Sequence, residues 1–585
     1  MNQTISDLLQ SDLTPRVDSS LSLVKPTRQD FQNWLSGLSM LNVGDTARQL
    51  YVTLRELAQL PLDEHQRFEL LELMRPAIQT ISVSLSKHYI NQNLLLDERA
   101  EKIASLAQQL QAYPAVIYRH IARVLAHVLE LQHFNLFNMN KKKAQNQIIA
   151  LATLRSISDL TNLLYEAQSL YLPPPVGLWK SLYELYEFAC KNELQHLALV
   201  DEHQPQDSRP TIEHAFLKAL ILGTCNTNKL RQVEIKRLYQ VTDLWVDLVG
   251  ISSQPTGHDL FLLDPKEDLP PVYITKAVKP GSDTYYLDTR LLLSHFENLA
   301  SSEPKLRHRS EGSLITGSLK YHLILTYSAP LERSYARHAY DAQIEISLGL
   351  IGAHYQLSEG KTFEAIIGME NTLSVGGVAR LSTDNFDINY SPKDEQLKVD
   401  ATREQSEIYS CKIVNISPGG YCIRWEGKTP GVLRTGELLT LREAGEKSWH
   451  IGIIRWVKQT LNSGAEFGVE VLSPRGKPCG AKVLRHGDEP ADFMRALILP
   501  EMKTLNRPAT IITPNLSFKE NYRIIIRSGS DEVKAQLSTE VLVTQSFSQF
   551  EFTVLQKDKG FASEQTSRAE PKNATDNYDE VWHTL

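Results

Sequence analysis

Two short stretches hold the residues best suited to grip a ligand. Arg333-Ser334-Tyr335-Ala336-Arg337 sets two guanidinium groups four residues apart, and Asn415-Ile416-Ser417-Pro418-Gly419-Gly420 gathers an amide, a hydroxyl and two glycines. A guanidinium is planar and permanently charged. Its fork donates paired hydrogen bonds to phosphate or to the edge of guanine, and its face stacks on a base. Asn and Ser hydrogen-bond locally and Gly accepts positive φ, so such residues collect in turns. Strand-like runs at 408–414 and 421–425 flank the second stretch, which therefore reads as the tip of a β-hairpin. Taken singly, each stretch is an ordinary hairpin or a pair of solvated arginines.

Other chemistries find little support. There is no Gly-rich loop ending in Gly-Lys-Ser/Thr, no His-Glu-x-x-His and no Gly-x-Ser-x-Gly. The carboxylate pairs Asp264 and Asp268, and Glu489 and Asp492, fall in loops or on polar faces without a partner base. His120, His127 and His133 share one helical stretch but not the i, i+4 spacing of helical zinc ligands. Lys141–Lys143 reads as a solvated charge run. No catalytic residue, metal ligand or cofactor is assigned, and the chain is not expected to be an enzyme.

The net charge of −7 argues against general DNA or RNA binding, which needs Lys and Arg to neutralise phosphates. A basic site must be local. The window 303–338 supplies one, with Lys305, Arg307, Arg309, Lys320, Arg333 and Arg337 against Glu303, Glu311 and Glu332. The 5 cysteines are scattered and form no Cys-x-x-Cys pair, so a reducing cytoplasm is expected. Residues 1–12 lack the apolar core of a signal peptide, and no apolar run approaches the ~20 residues of a membrane span.

At 585 residues, 42% hydrophobic and 22% charged, the chain is long enough for about three to four folded domains. The expected class is multidomain α + β. A disordered leader (1–26) precedes an all-α interaction domain (27–250), expected either as a stacked helical array or as a non-repeating bundle. Asp45 and Asp63 are the expected N-caps, and Pro61 and Pro76 the breaks. Further helices are expected at 98–110, 115–131, 143–167, 177–191, 212–222 and 231–249. A small α/β connecting module (251–330) has expected strands at 272–275, 284–287 and 315–327 and a helix at 289–299. A β-rich region (331–482) follows, then a C-terminal β domain (483–555) with a helix at 490–498, strands beyond it, and the character of a second barrel. Residues 556–585 read as a disordered tail whose Tyr578-Asp579-Glu580-Val581-Trp582 sets two aromatics among acids.

In the order of these features, the region 328–482 resembles the PilZ family of bacterial cyclic-di-GMP receptors. That family carries Arg-x-x-x-Arg before its first barrel strand, here Arg333 and Arg337 followed by the alternating run 342–348. It also carries (Asp/Asn)-x-Ser-x-x-Gly on the barrel surface, here Asn415, Ser417 and Gly420. The runs 431–441, 449–458 and 466–472 match its later strands. Arg337 and Asn415 stand 78 residues apart, farther than is usual in the family, which implies an insertion at about 358–405. The resemblance implies an antiparallel barrel binding cyclic-di-GMP. Arg333 and Arg337 would take phosphate and guanine, Asn415 and Ser417 a guanine edge or phosphate, and Gly420 would permit close backbone approach. It further implies a cytoplasmic effector that engages a protein partner through its helical half, in surface attachment, type IV pilus function or motility. The alternative is an adaptor whose barrel no longer binds the nucleotide.

Overall fold

The computed structural model describes residues 4–557 apart from 15–19, 132–138, 202–208, 276–277, 279, 282, 302, 330–336, 370–406, 461–463, 485–491, 503–506 and 516. Two compact units emerge. The first holds Met1–Asp341, Cys411–Gly436 and Ile454–Glu470, and the second holds Ala342–Ser410, Glu437–Ile453 and Val471–Leu585.

Among the described residues the first unit begins with nine α-helices: α1 (Ile5–Gln10), α2 (Arg28–Gly37), α3 (Val43–Gln59), α4 (Glu64–Ser86), α5 (Glu98–Leu131), α6 (Met139–Ser169), α7 (Leu178–Lys191), α8 (Ile212–Thr224) and α9 (Gln232–Val241). Their lengths are too unequal for a stacked repeat; the long α5 and α6 pack together and the others gather round them, which makes a non-repeating bundle. On α3 the expected face is buried at Ala47, Leu50, Leu54 and Ala58. Its cap is Asn42, whose side chain accepts from the N–H of Asp45, and not Asp45 itself. Asp63 does cap α4 by accepting from the N–H groups of His65 and Gln66.

Three expectations for this bundle are corrected. Pro76 and Pro114 do not break their helices. Each lacks one N–H, yet burial of Leu71, Met74 and Ile78, and of Tyr113, Ile117 and Tyr118, outweighs that loss. The leader is not wholly loose either. Thr4 and Asp7 form a capping box on α1, Leu8 and Leu9 are buried, and Arg119 donates to the carbonyls of Leu9 (2.8 Å) and Ser11 (3.0 Å). A buried guanidinium needs acceptors, and the start of the chain supplies them. Elsewhere Arg75 holds Asp159 through two bonds of 2.9 Å, and Arg155 pairs with Asp201 (2.6 Å) and Glu72 (3.0 Å).

Beyond the bundle come β1 (Gly250–Ser252), β2 (Phe261–Leu263), β3 (Val272–Tyr273) and β4 (Tyr285–Asp288), in sheet order β1-β4-β2-β3. Three helices follow: α10 (Arg290–Leu299), α11 (Arg309–Leu314) and α12 (Gly317–Ser328). The expected strand at 315–327 is thus a helix. Its apolar run buries Leu319, Leu323 and Tyr327 at helical spacing, and Thr316 caps it by accepting from the Leu319 N–H.

The strand β5 (His338–Leu348) leads into α13 (Gly349–Leu357) and α14 (Phe363–Ile366). Then come β6 (Tyr409–Ser417), β7 (Gly420–Glu426), β8 (Leu438–Glu443), β9 (His450–Thr460) and β10 (Gly464–Ser473). These pair in the order β10-β7-β6-β5-β8-β9 and close into a barrel. The interval between β5 and β6 opens with α13 at 349, ahead of the expected insertion at 358, and 370–405 lies outside the described residues. Within the second unit, Ala353 of α13 packs with Leu438, Ile451, Leu497, Ile512 and Phe547, so this part of the interval belongs to a core.

A second barrel contains β11 (Lys477–Val483), β12 (Met494–Leu499), β13 (Thr510–Pro514), β14 (Arg523–Ser528), β15 (Asp531–Val543) and β16 (Phe547–Lys557). Its order, β11-β12-β13-β16-β15-β14, repeats that of the first barrel strand for strand. Two sequence expectations change. The helix at 490–498 is largely strand β12, because Ala496 alternates with outward Arg495 and Leu497 in pairing with β11 and β13. Residues 477–483 pair with β12 and β14, which puts them in the second barrel although the expected first barrel ran to 482.

Candidate functional site

The hairpin β6–β7 is as tight as its sequence requires. Ser417 pairs with Gly420 around the two-residue turn Pro418-Gly419, Ile416 with Tyr421, and Asn415 with Cys422. An irregularity between Ile413 and Asn415 leaves Val414 over, which twists the strand locally and aims Asn415 beside Cys422. The Asn415 side chain hydrogen-bonds the Cys422 thiol. The Ser417 hydroxyl donates to the carbonyl of Gly420 at 3.3 Å.

Gly420 proves to be required by the barrel itself. It faces Glu470 of β10, and a Cβ added to it would lie 1.9 Å from the carbonyl oxygen of Val469. The close approach is to a neighbouring strand, whereas the family pattern suggested a role at the ligand. One row along, Gly468 faces Cys422, and the indole of Trp456 occupies the space a side chain there would need, its Nε1 1.9 Å from the position of an added Cβ. Half-buried Trp456 was not singled out from the sequence. The signal was a glycine inside a strand, which often marks close packing.

Arg337 stands exposed just before β5, and its charge acts on the Cys422 thiol. Burial pushes that thiol's pKa up and nearby Glu466 adds to the rise, while Arg337 and Arg424 oppose it. Arg337, Asn415, Ser417 and Gly420 thus belong to one unit and one neighbourhood. Arg333 lies outside the described residues. The flanking charges are matched: Arg424 with Glu466 at 2.8 Å and Arg455 with Glu470 at 2.6 Å. Arg337 has no ion pair among the described residues, so it is the cation here that remains available to an anion.

The first unit also ties these strands to the helices. Gln459 of β9 donates to the carbonyl of Leu170 (2.8 Å) with its side chain and to that of Tyr171 (2.9 Å) with its N–H. Arg231 donates to the carbonyl of Thr435 (2.8 Å), and the Leu95 N–H donates to Thr429 Oγ1 (3.0 Å).

Among the described residues no group of three or more His, Cys, Asp or Glu is placed to hold a metal. His120 lies 3.5 Å from Glu64, and His133 is outside the described residues. Among the described residues no helix is long and apolar enough to cross a membrane.

Three family models match the chain in succession: the N-terminal domain of the cyclic-di-GMP receptor FimW at 29–256, its middle PilZ domain at 260–389 and 370–478, and its C-terminal β-barrel domain at 479–555. The cyclic-di-GMP receptor FimW of Pseudomonas aeruginosa is 31% identical, with 97% of each chain covered. The chain belongs to the FimW family. The middle PilZ domain of that family begins near β2 and takes in β2–β4, α10–α12 and the first barrel, while β1 falls in the N-terminal match. The second barrel is the family's C-terminal domain. No solved structure matches the chain.

Proposed function

We propose that this protein binds cyclic-di-GMP on the outer surface of β6–β7 and signals its presence to a protein partner. The observation that carries the proposal is the neighbourhood of Arg337 and the Asn415–Cys422 pair. It supports a shared surface for the two motifs, although 77 positions lie between Arg337 and Asn415. The ligand presents two phosphates and two guanines. Arg337 offers a planar donor fork and a stacking face, and Arg333 stands four residues before it in the same segment. Asn415 carries both donor and acceptor groups for a guanine edge, and Ser417 a hydroxyl at the turn.

The arginine segment joins α12 to β5. Tyr327, near the end of α12, is buried, with its hydroxyl 2.8 Å from Thr224 Oγ1 at the end of α8. Capturing a ligand with the intervening arginines fixes the path between a helix anchored on the bundle and the first barrel strand. Such a ligand shifts the balance between arrangements by its differential affinity for them. The relative's name supports the nucleotide. A protein partner on the helical half, a cytoplasmic location and a role in type IV pili, surface attachment or motility complete the proposed reading. Calorimetric titration of the full chain with cyclic-di-GMP tests it. Binding at micromolar or tighter Kd is expected, and no binding would favour an adaptor whose barrel has lost the nucleotide.

A further inference from the structure

The second barrel turns a strongly basic face outward. Cys479, Ala481, Ala496, Ile524, Ile526 and Ala535 fill its interior, and strand alternation sends their neighbours to the outside. On β11, β12, β14 and the start of β15 those neighbours include Lys482, Arg495, Arg523, Arg527 and Lys534, with Glu532 the outward carboxylate among them. The register groups them. Arg495, Gly480, Arg527 and Glu532 lie side by side, and α14 packs on that row, with the Phe363 ring 4.8 Å from Arg495 Cζ and Ile367 against Gly480. Lys482, Ile525 and Lys534 form the adjoining row, where Lys534 and the neighbouring Arg523 are exposed and Lys482 half-buried. Half-buried Phe493 sits between two of the cations, 4.4 Å from Lys482 Nζ and 5.6 Å from Arg527 Cζ. Glu532 reaches Arg527 at 3.4 Å, and Asp492 and Asp531 flank the strands. In a chain of net charge −7, this concentration of cations around one aromatic ring invites an anionic occupant.

The sequence itself contains a fitting one. After Lys572 it has no Lys or Arg, and Asp576, Tyr578, Asp579, Glu580 and Trp582 combine three carboxylates with two aromatic rings. The exit point favours contact within one chain. β16 ends at Lys557 opposite Val533, which faces Ile526, which faces Ala481, which faces Met494. At about 4.8 Å per strand, the basic rows begin about 5–10 Å from the exit and end within about 20 Å of it. The 18 residues 558–575 can span up to ~60 Å, more than enough.

We propose that the acidic, aromatic segment 576–582 docks on this basic face of the second barrel in the same chain. Asp579 and Glu580 pair with Lys482, Arg523 and Lys534, and an aromatic ring of the segment lies against the cations around Phe493. Tethering makes this an intramolecular event at high effective concentration, and salt weakens it because the pairs are at the surface.

Zero-length carbodiimide cross-linking of the full chain, mapped by mass spectrometry, tests it. The exposed pair Lys266–Asp283, 2.6 Å apart, is the internal control. The expected result is a link from Asp579 or Glu580 to Lys482 or Lys534, formed within one chain when light and heavy protein are mixed. Its yield should fall at least about ten-fold in Arg523→Glu, which keeps both lysines, while the control link is unchanged. The proposal is overturned if the control forms without these links. Links found only between light and heavy chains, or a full yield in Arg523→Glu, overturn it equally.

Discussion

Gly420 and Ser417 stand three residues apart in one motif yet do different work. Gly420 makes room for the carbonyl of Val469, so Gly420→Val forces β7 away from β10. Overpacking of this kind costs about 1–3 kcal/mol, and thermal denaturation should show Gly420→Val clearly less stable than wild type. Ser417→Ala removes a hydroxyl that would give the nucleotide one neutral hydrogen bond, worth about 0.5–1.5 kcal/mol, and should weaken cyclic-di-GMP only a few-fold with the fold intact. Arg337→Ala and Arg333→Ala each remove charge-assisted bonds of about 1.5–3 kcal/mol, and calorimetry should show losses of ~10–100-fold. Greater damage from Ser417→Ala than from Arg337→Ala would reverse this allocation. The turn was legible because its chemistry is local. The duty of Gly420 toward Val469, and the place of Trp456 over Gly468, were not. Each depends on a strand that reaches its partner only when the barrel closes.

At the scale of elements, the bundle carries a buried acid with a consequence for pH. Burial pushes the pKa of Glu166 up to about 7 from 4.5, although the hydroxyl of Tyr89, 3.2 Å away, lowers it in part. A raised carboxyl contributes its stability in full below the unfolded value and loses it as pH rises through the folded value. Glu166→Gln keeps a neutral group at every pH. Its stability relative to wild type should therefore grow by ~3 kcal/mol between pH ~4.5 and pH ~8, an order-of-magnitude figure from the shift. Urea denaturation at both values checks this, and an equal gap at the two would contradict it. The interval between β5 and β6 divides at about 370. Ala353 lies in a core, and His354 approaches the carbonyl of Cys479 at 3.2 Å, so α13 is structural. Replacing 370–405 by a short Gly/Ser linker should leave nucleotide affinity within a few-fold by titration, since closing a longer loop adds little. Helices were legible where apolar spacing was long and regular, as on α3. Short apolar runs were ambiguous, and α12 and β12 each took the other form because packing decided between them.

Over the whole molecule, two barrels share one strand order, yet the motif residues occur in the first alone. The family's three domains follow the broad order read from the sequence: helices, then a barrel with both motifs, then further strands. The repeat of strand order was not legible, because it resides in pairing between distant segments and leaves no motif behind. The central claim is that one nucleotide engages both motifs and thereby fixes the chain between α12 and β5. Hydrogen exchange with and without cyclic-di-GMP tests it most directly. Protection should rise in residues ~328–340 and in 415–422 together, with a further change in the helical half. Protection confined to 415–420, with 337–341 unaffected, would mean that the ligand does not join the two motifs, and the account would fail.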